Sequence, residues 1–191
     1  GDDDRSATID AVKQGLKNLA SEGVSIFFQH GNRDFLLGNE FAKECGLTLL
    51  PESHTARPFK TPLLLMHGDQ LCLDDQPYQS FRQLVRSADW QQDFLAKPIE
   101  ERAEIARQMR SRSKELGAQK TAEIMDVNHS EVDRAMASHN VDVLIHGHTH
   151  RPAIHHISKD KVRIVLGDWG PRGWYLRWNP DDSYQLINYL I

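Results

Sequence analysis

The sequence predicts an α/β fold: a layered core of strands and helices interrupted by an all-helical insertion. Three observations carry that prediction. Apolar runs of strand length over residues 24–28, 62–66 and 141–145 each end in a glycine-flanked polar cluster. Strand-like and helix-like stretches alternate through the first 75 residues, as in a layered core. From residue 76 to about 139 the composition shifts to strong helix formers with little β-branching and few glycines.

Residues 6–20 place Ile9, Val12, Leu16 and Leu19 at helical spacing, with Gly23 just past the end, so an amphipathic helix is expected there. A strand follows at 24–28. Residues 35–44 read as a loop and a short helix stopped by Gly46, and further strands are expected near 47–50 and 62–66. In the helical block Pro77 suits a first turn, and Pro98 separates a helix near 78–88 from one near 99–114. Gly117 marks a break before another helix over about 121–137. Strands at 153–157, 162–166, 174–178 and 183–191 are expected to form an antiparallel second sheet or edge.

Residues 1–75 and 140–191 therefore make the core, and 76–139 an inserted cap. The cap's apolar residues, among them Phe81, Trp90, Phe94, Ile99 and Met109, serve ordinary helix packing or an amphipathic face. With Arg107, Arg110, Arg112 and Lys114 nearby, such a face suits an anionic, greasy ligand or a membrane surface.

At 191 residues the chain is long enough for one domain with a buried core. A net charge of −4 argues against general nucleic-acid binding. No apolar run approaches the ~18 residues that a membrane span requires. Cys45 and Cys72 suit free thiols in a reducing compartment, which points to the cytoplasm. The opening Gly1-Asp2-Asp3-Asp4-Arg5 has no initiator Met and reads as an internal cut.

The densest chemistry lies in Gly147-His148-Thr149-His150, directly after the run at 141–145. Two imidazoles at i and i+2 from one turn make natural metal ligands, and the glycine lets backbone approach a ligand closely. The blander alternative is an exposed, His-rich turn. Gly31-Asn32-Arg33-Asp34 and His67-Gly68-Asp69 follow two other strand-like runs, and sites in open α/β sheets collect at strand ends. Asn and His from separate loops are unlike a structural zinc site. They suit Mn²⁺, Fe²⁺ or Zn²⁺ with open coordination positions, and a pair of such ions can activate water for displacement at phosphorus. His30 and Asp168 read as supporting residues, and His146 as a non-ligand.

These three fragments resemble the later blocks of the calcineurin-like metallophosphoesterases. The form Gly-Asn-Arg-Asp has Arg where His is usual in that superfamily. With Cys72-Leu73-Asp74-Asp75 and Ile124-Met125-Asp126-Val127-Asn128, it is similar to the lipid A branch, which hydrolyses UDP-2,3-diacylglucosamine. The resemblance spans residue 1 to about 168.

It implies a β-sandwich core flanked by helices and a two-metal Mn²⁺ site. Asn32, His67 and His148 would hold one ion and His150 the other, with Asn32, Arg33 and His148 at the reacting phosphate. Asn32, Arg33, Asp75, Ser113, Lys120 and His148 would meet the nucleotide-sugar lipid, and Gly117 stands where the branch carries a polar side chain. The products would be UMP and 2,3-diacylglucosamine 1-phosphate. The implied setting is the cytoplasmic face of the bacterial inner membrane, with no nucleic acid and no obligate protein partner. Asp-x-His and Gly-Asp-x-x-Asp, the first two blocks of the family, do not precede Gly31. A βαβ-sized opening segment, on the order of 30 residues, and the first strands are therefore expected to be missing, leaving one weakened metal site. The rival readings are a phosphoesterase for a soluble nucleotide or phosphoprotein, and a non-catalytic metal-binding module for a partner.

Overall fold

The computed structural model describes residues 1–117, 121 and 124–191. The chain falls into two compact units, Gly1–Leu50 with Asp75–Ala122, and Pro51–Asp74 with Glu123–Ile191.

In the first unit, α1 (Ala7–Ser21) ends before Gly23, whose φ of +86° suits a residue without Cβ. Ile9 and Leu16 pack on Phe41, Ala42, Cys45 and Leu47, while Val12 and Leu19 remain half-exposed. The apolar stripe is thus narrower than its spacing predicts. Lys13 is buried in its place, its Nζ 2.8 Å from Glu44 Oε2 and 5.5 Å from the centre of the Phe41 ring. β1 (Ile26–Gln29) starts two residues later than expected and pairs in parallel with β2 (Leu47–Leu50). Between them α2 (Asn39–Cys45) stops at Gly46, which is left-handed at φ +69°.

Three helices complete this unit: α3 (Gln76–Arg86), α4 (Ala88–Leu95) and α5 (Ile99–Gly117). The helix expected over 78–88 stops short because Ser87 is extended. Ser87 Oγ instead accepts from Trp90 N and starts α4, an element the spacing did not reveal.

The second unit is built on a five-stranded sheet ordered β3-β4-β5-β7-β6: β3 (Ser53–Ala56), β4 (Leu63–Met66), β5 (Val143–His146), β7 (Val162–Val165) and β6 (Ala153–His156). β4, β5 and β7 run parallel, so their carboxyl ends share one edge of the sheet. Of the strands expected as an antiparallel second sheet or edge, β6 joins β7 antiparallel at the edge of the central sheet, β7 also pairs in parallel with β5, and β8 (Arg172–Trp178) and β9 (Tyr184–Leu190) form an antiparallel hairpin of their own. β7 lies inside the sheet, paired with β5 on one edge and β6 on the other, and Arg163, Ile164 and Val165 are buried.

Alternation along the central strands builds two cores. Leu64, Met66 and Leu144 face Val132, Ala135 and Met136 of α6 (His129–Ser138). Leu63, Val143, Ile145 and Ile164 face Leu176, Trp178 and Tyr184 of the hairpin. The helix expected over 121–137 is likewise corrected. It begins at 129, because Asn128 caps it through Oδ1, which accepts from Ser130 N at 3.0 Å and Glu131 N at 3.4 Å. The 76–139 segment is accordingly shared, with α3–α5 in the first unit and α6 in the second. Among the described residues no helix is long and apolar enough to cross a membrane.

Candidate metal centre and substrate cavity

Register places the ligand loops of the second unit. Met66 lies opposite His146, so His67 and Gly147 leave the sheet side by side, and Gly147 N donates to His67 O at 2.9 Å. The rings of His67 and His148 then meet edge to face, with centroids 5.1 Å apart. Backbone strain accompanies this pairing. His148 and His150 are left-handed at φ +63° and +53°, a conformation non-glycine residues seldom adopt outside constrained sites. Gly68, at φ +110°, is required on two counts, since a Cβ there would lie 2.8 Å from His146 Nδ1 and 3.2 Å from Gly147 O.

His150 Nδ1 lies 3.9 Å from Asp168 Oδ2, and both side chains are exposed. His146 is buried, and burial pushes its imidazole down to about 4 despite the Gly147 carbonyl that favours the charged form. Asp126 and Arg151 form an ion pair that ties the turn before α6 to the residue after His150. Neither the Asp126 pair nor the buried Arg163 beside His146 was foreseen, because each joins segments far apart in sequence.

Paired imidazoles at strand ends fit a transition metal in donor chemistry. Among the described residues, however, no three His, Cys, Asp or Glu side chains gather closely enough to hold an ion. The second unit thus offers donor pairs, His67 with His148 and His150 beside Asp168, rather than one closed cluster.

In the first unit Asn32 and Arg33 sit in a braced loop. Gly31 N donates to Asp34 Oδ1 at 2.6 Å, Arg86 Nη2 donates to Gly31 O at 3.0 Å, and His30 Nε2 donates to Leu37 O at 2.7 Å. His30 is therefore structural, as expected. The Arg86 guanidinium also lies 4.9 Å from the centre of the Phe35 ring. Asn32, Arg33 and Ser113 all line a cavity of about 420 Å³, whose apolar wall includes Phe81, Trp90, Phe94, Ile99 and Met109. Arg102, buried and ion-paired with Asp3, closes one side.

The other expected substrate residues are placed differently. Asp75 is buried and caps α3, Oδ1 accepting from Tyr78 N at 3.1 Å. Gly117 is the last residue of α5, with open space where a Cβ would stand. Lys120 lies outside the described residues.

Strand-end imidazoles in one unit and an Asn-Arg loop in the other are the residue types of a metal-dependent phosphoesterase, and comparison with known proteins gives the class. The calcineurin-like phosphoesterase model matches residues 1–152, and the chain belongs to that family. A UDP-2,3-diacylglucosamine hydrolase of Cellvibrio japonicus (strain Ueda107) is 49% identical over 179 residues, covering 92% of this chain and 75% of the relative. Proteins of the same name from Pasteurella multocida (strain Pm70) and Escherichia coli O127:H6 (strain E2348/69 / EPEC) are 45% and 44% identical. They are matched over 98% and 99% of this chain, and 78% and 80% of their own lengths.

Proposed function

We propose that this protein hydrolyses the pyrophosphate of UDP-2,3-diacylglucosamine, releasing UMP and 2,3-diacylglucosamine 1-phosphate. The observation that carries the reading is the cavity in the first unit, where Asn32 and Arg33 share one enclosure with Phe81, Trp90, Phe94 and Met109. A diphosphate and an acyl chain are the two halves of such a substrate. The guanidinium of Arg33 can meet phosphate oxygens in bidentate fashion, and the aromatic wall removes acyl surface from water.

His67, His148, His150 and Asn32 are the residues that would hold metal, with Mn²⁺ at two positions. Bound divalent ions of this kind supply an activated water and neutralise charge at phosphorus. The remaining work belongs to the chain. Arg33 and Asn32 orient the diphosphate, Ser113 hydrogen-bonds a polar group of the lipid, and the α3–α5 wall excludes water from the acyl chain. An acylated substrate would place this work at the cytoplasmic face of the inner membrane, where the basic residues Arg107, Arg110 and Arg112 of α5 would meet anionic lipid.

The test is Mn²⁺-dependent UMP release from UDP-2,3-diacylglucosamine, with a UDP-sugar lacking acyl chains as the control. It is run on this chain and on a version preceded by the Asp-x-His and Gly-Asp-x-x-Asp blocks. Turnover of the acylated substrate alone supports the reading. Cleavage of soluble phosphodiesters without turnover of the lipid overturns it.

A further inference from the structure

Resting on the assignment of His67 and His148 as metal ligands, we propose that Arg163 and His146 form a positioning pair that sets the Gly147-His148 turn for metal. His146 is the last residue of β5 and is buried, and its Nδ1 lies 2.9 Å from Gly147 O. A carbonyl only accepts, so Nδ1 carries the proton. Nε2 is then an acceptor, and Arg163 Nη1 lies 3.2 Å from it. A guanidinium has no lone pair to offer, so its presence forbids the opposite tautomer.

Arg163 comes from β7, where it pairs with Leu144, so its side chain leaves the same sheet face as that of His146. It too is buried. An apolar side chain would fill this place without the desolvation of a cation, so packing alone does not account for an arginine here.

What the pair controls is the backbone of Gly147. Its N–H donates to His67 O, and its C=O accepts from His146 and, at 2.7 Å, from Thr149 N, so both polar groups are held. The imidazole also lies flush against Gly68, where a Cβ would come 2.8 Å from Nδ1. The peptide that follows carries His148 into its left-handed backbone, with its ring against His67. Without the His146 bond the Gly147 carbonyl would be held by Thr149 N alone, a contact within the turn that does not tie it to β5, and the two candidate ligand rings would be less firmly set. Arg163 thus acts through His146 and touches no metal itself. Outer partners of this kind commonly govern metal affinity by about 10–100-fold.

The experiment is imidazole ¹⁵N NMR on the unmodified chain, followed by sub-stoichiometric Mn²⁺. The expected result is the Nδ1–H tautomer at His146 and paramagnetic broadening at His67 and His148. The Nε2–H tautomer, or no broadening at these two histidines, overturns the proposal. In Arg163→Met the Mn²⁺ affinity should fall about 10-fold or more, and Arg163→Lys, which keeps a donor, should recover most of it. Unchanged affinity in Arg163→Met overturns the proposal, and if that variant does not fold the tautomer decides. Mn²⁺ binding without UMP release counts against the proposed substrate and not against this pair.

Discussion

The two units present functional residues by different means. In the second, His67 and His148 leave neighbouring parallel strands, and backbone bonds set by strand register hold them, over a core where Leu144 is 0% exposed. In the first, Asn32 and Arg33 sit in a loop braced by side chains, beside a β1–β2 pair whose Phe27 is 62% exposed. A ligand pair needs fixed geometry, which a buried sheet supplies, whereas a cavity for a flexible lipid tail can be walled by helices with adjustable side chains. On the proposed function, chemistry and substrate selection would rest on separate structural supports, and substitutions should separate them.

The largest effect is expected where the second unit has no slack. Leu144→Ala removes a fully buried side chain between β4 and α6 and should cost about 3–4 kcal/mol, read as a lower urea midpoint. Phe27→Ala, in an exposed position, should stay within about 0.5 kcal/mol. Comparable losses for both would erase the proposed contrast. Next comes Gly68→Ala, which places a Cβ in a left-handed backbone against His146 and the Gly147 carbonyl. A loss of about 2–3 kcal/mol is expected, together with weaker Mn²⁺ binding. Wild-type stability would show that this close approach relaxes freely.

Met109→Asp tests the first unit. It puts a carboxylate into the apolar wall of the cavity but leaves the cores in place. The expected outcome is about a 10-fold or greater loss of kcat/KM on the acylated substrate, with a thermal midpoint within a few degrees of wild type. Equal losses on acylated and acyl-free UDP-sugars would mean that the wall does not select the acyl chain.

Legibility in the sequence followed the same division. The strands before the candidate ligands, β4 and β5, were readable to within two residues because apolar runs ending in Gly and His signals leave little ambiguity. The Asn32, Arg33 and Ser113 group emerged from motif resemblance, and the structure brings all three to one cavity. Short polar β3 was invisible, since Ser53-His54-Thr55-Ala56 carries no hydrophobic alternation and becomes a strand only by pairing with β4. The choice between a second sheet and an edge was open in the sequence because a β6–β7 hairpin looks the same whether it stands alone or joins β5. The ion pairs Asp3–Arg102 and Asp126–Arg151, and the His146–Arg163 contact, join residues 99, 25 and 17 positions apart, beyond any local pattern.

The smallest effect concerns the rim of the first unit. Glu44 meets Lys13, Lys17 and Arg5, and the Lys13 and Lys17 ammonium groups hold its carboxyl down to about 2, below its usual 4.5. Because the folded value is the lower one, the carboxylate contributes stability that is complete above about pH 5 and is lost as pH falls from there toward 2. Between pH 6 and 8 this group should leave stability unchanged. Urea midpoints measured from pH 7 to pH 2.5 should therefore fall more steeply for the wild type than for Glu44→Gln, with the gap narrowing in high salt because the site is open to solvent. Parallel acid limbs would mean that the three cations do not act on this carboxylate in solution. Lys13, 2% exposed, would then be held by the Phe41 ring and the Asp2 carbonyl.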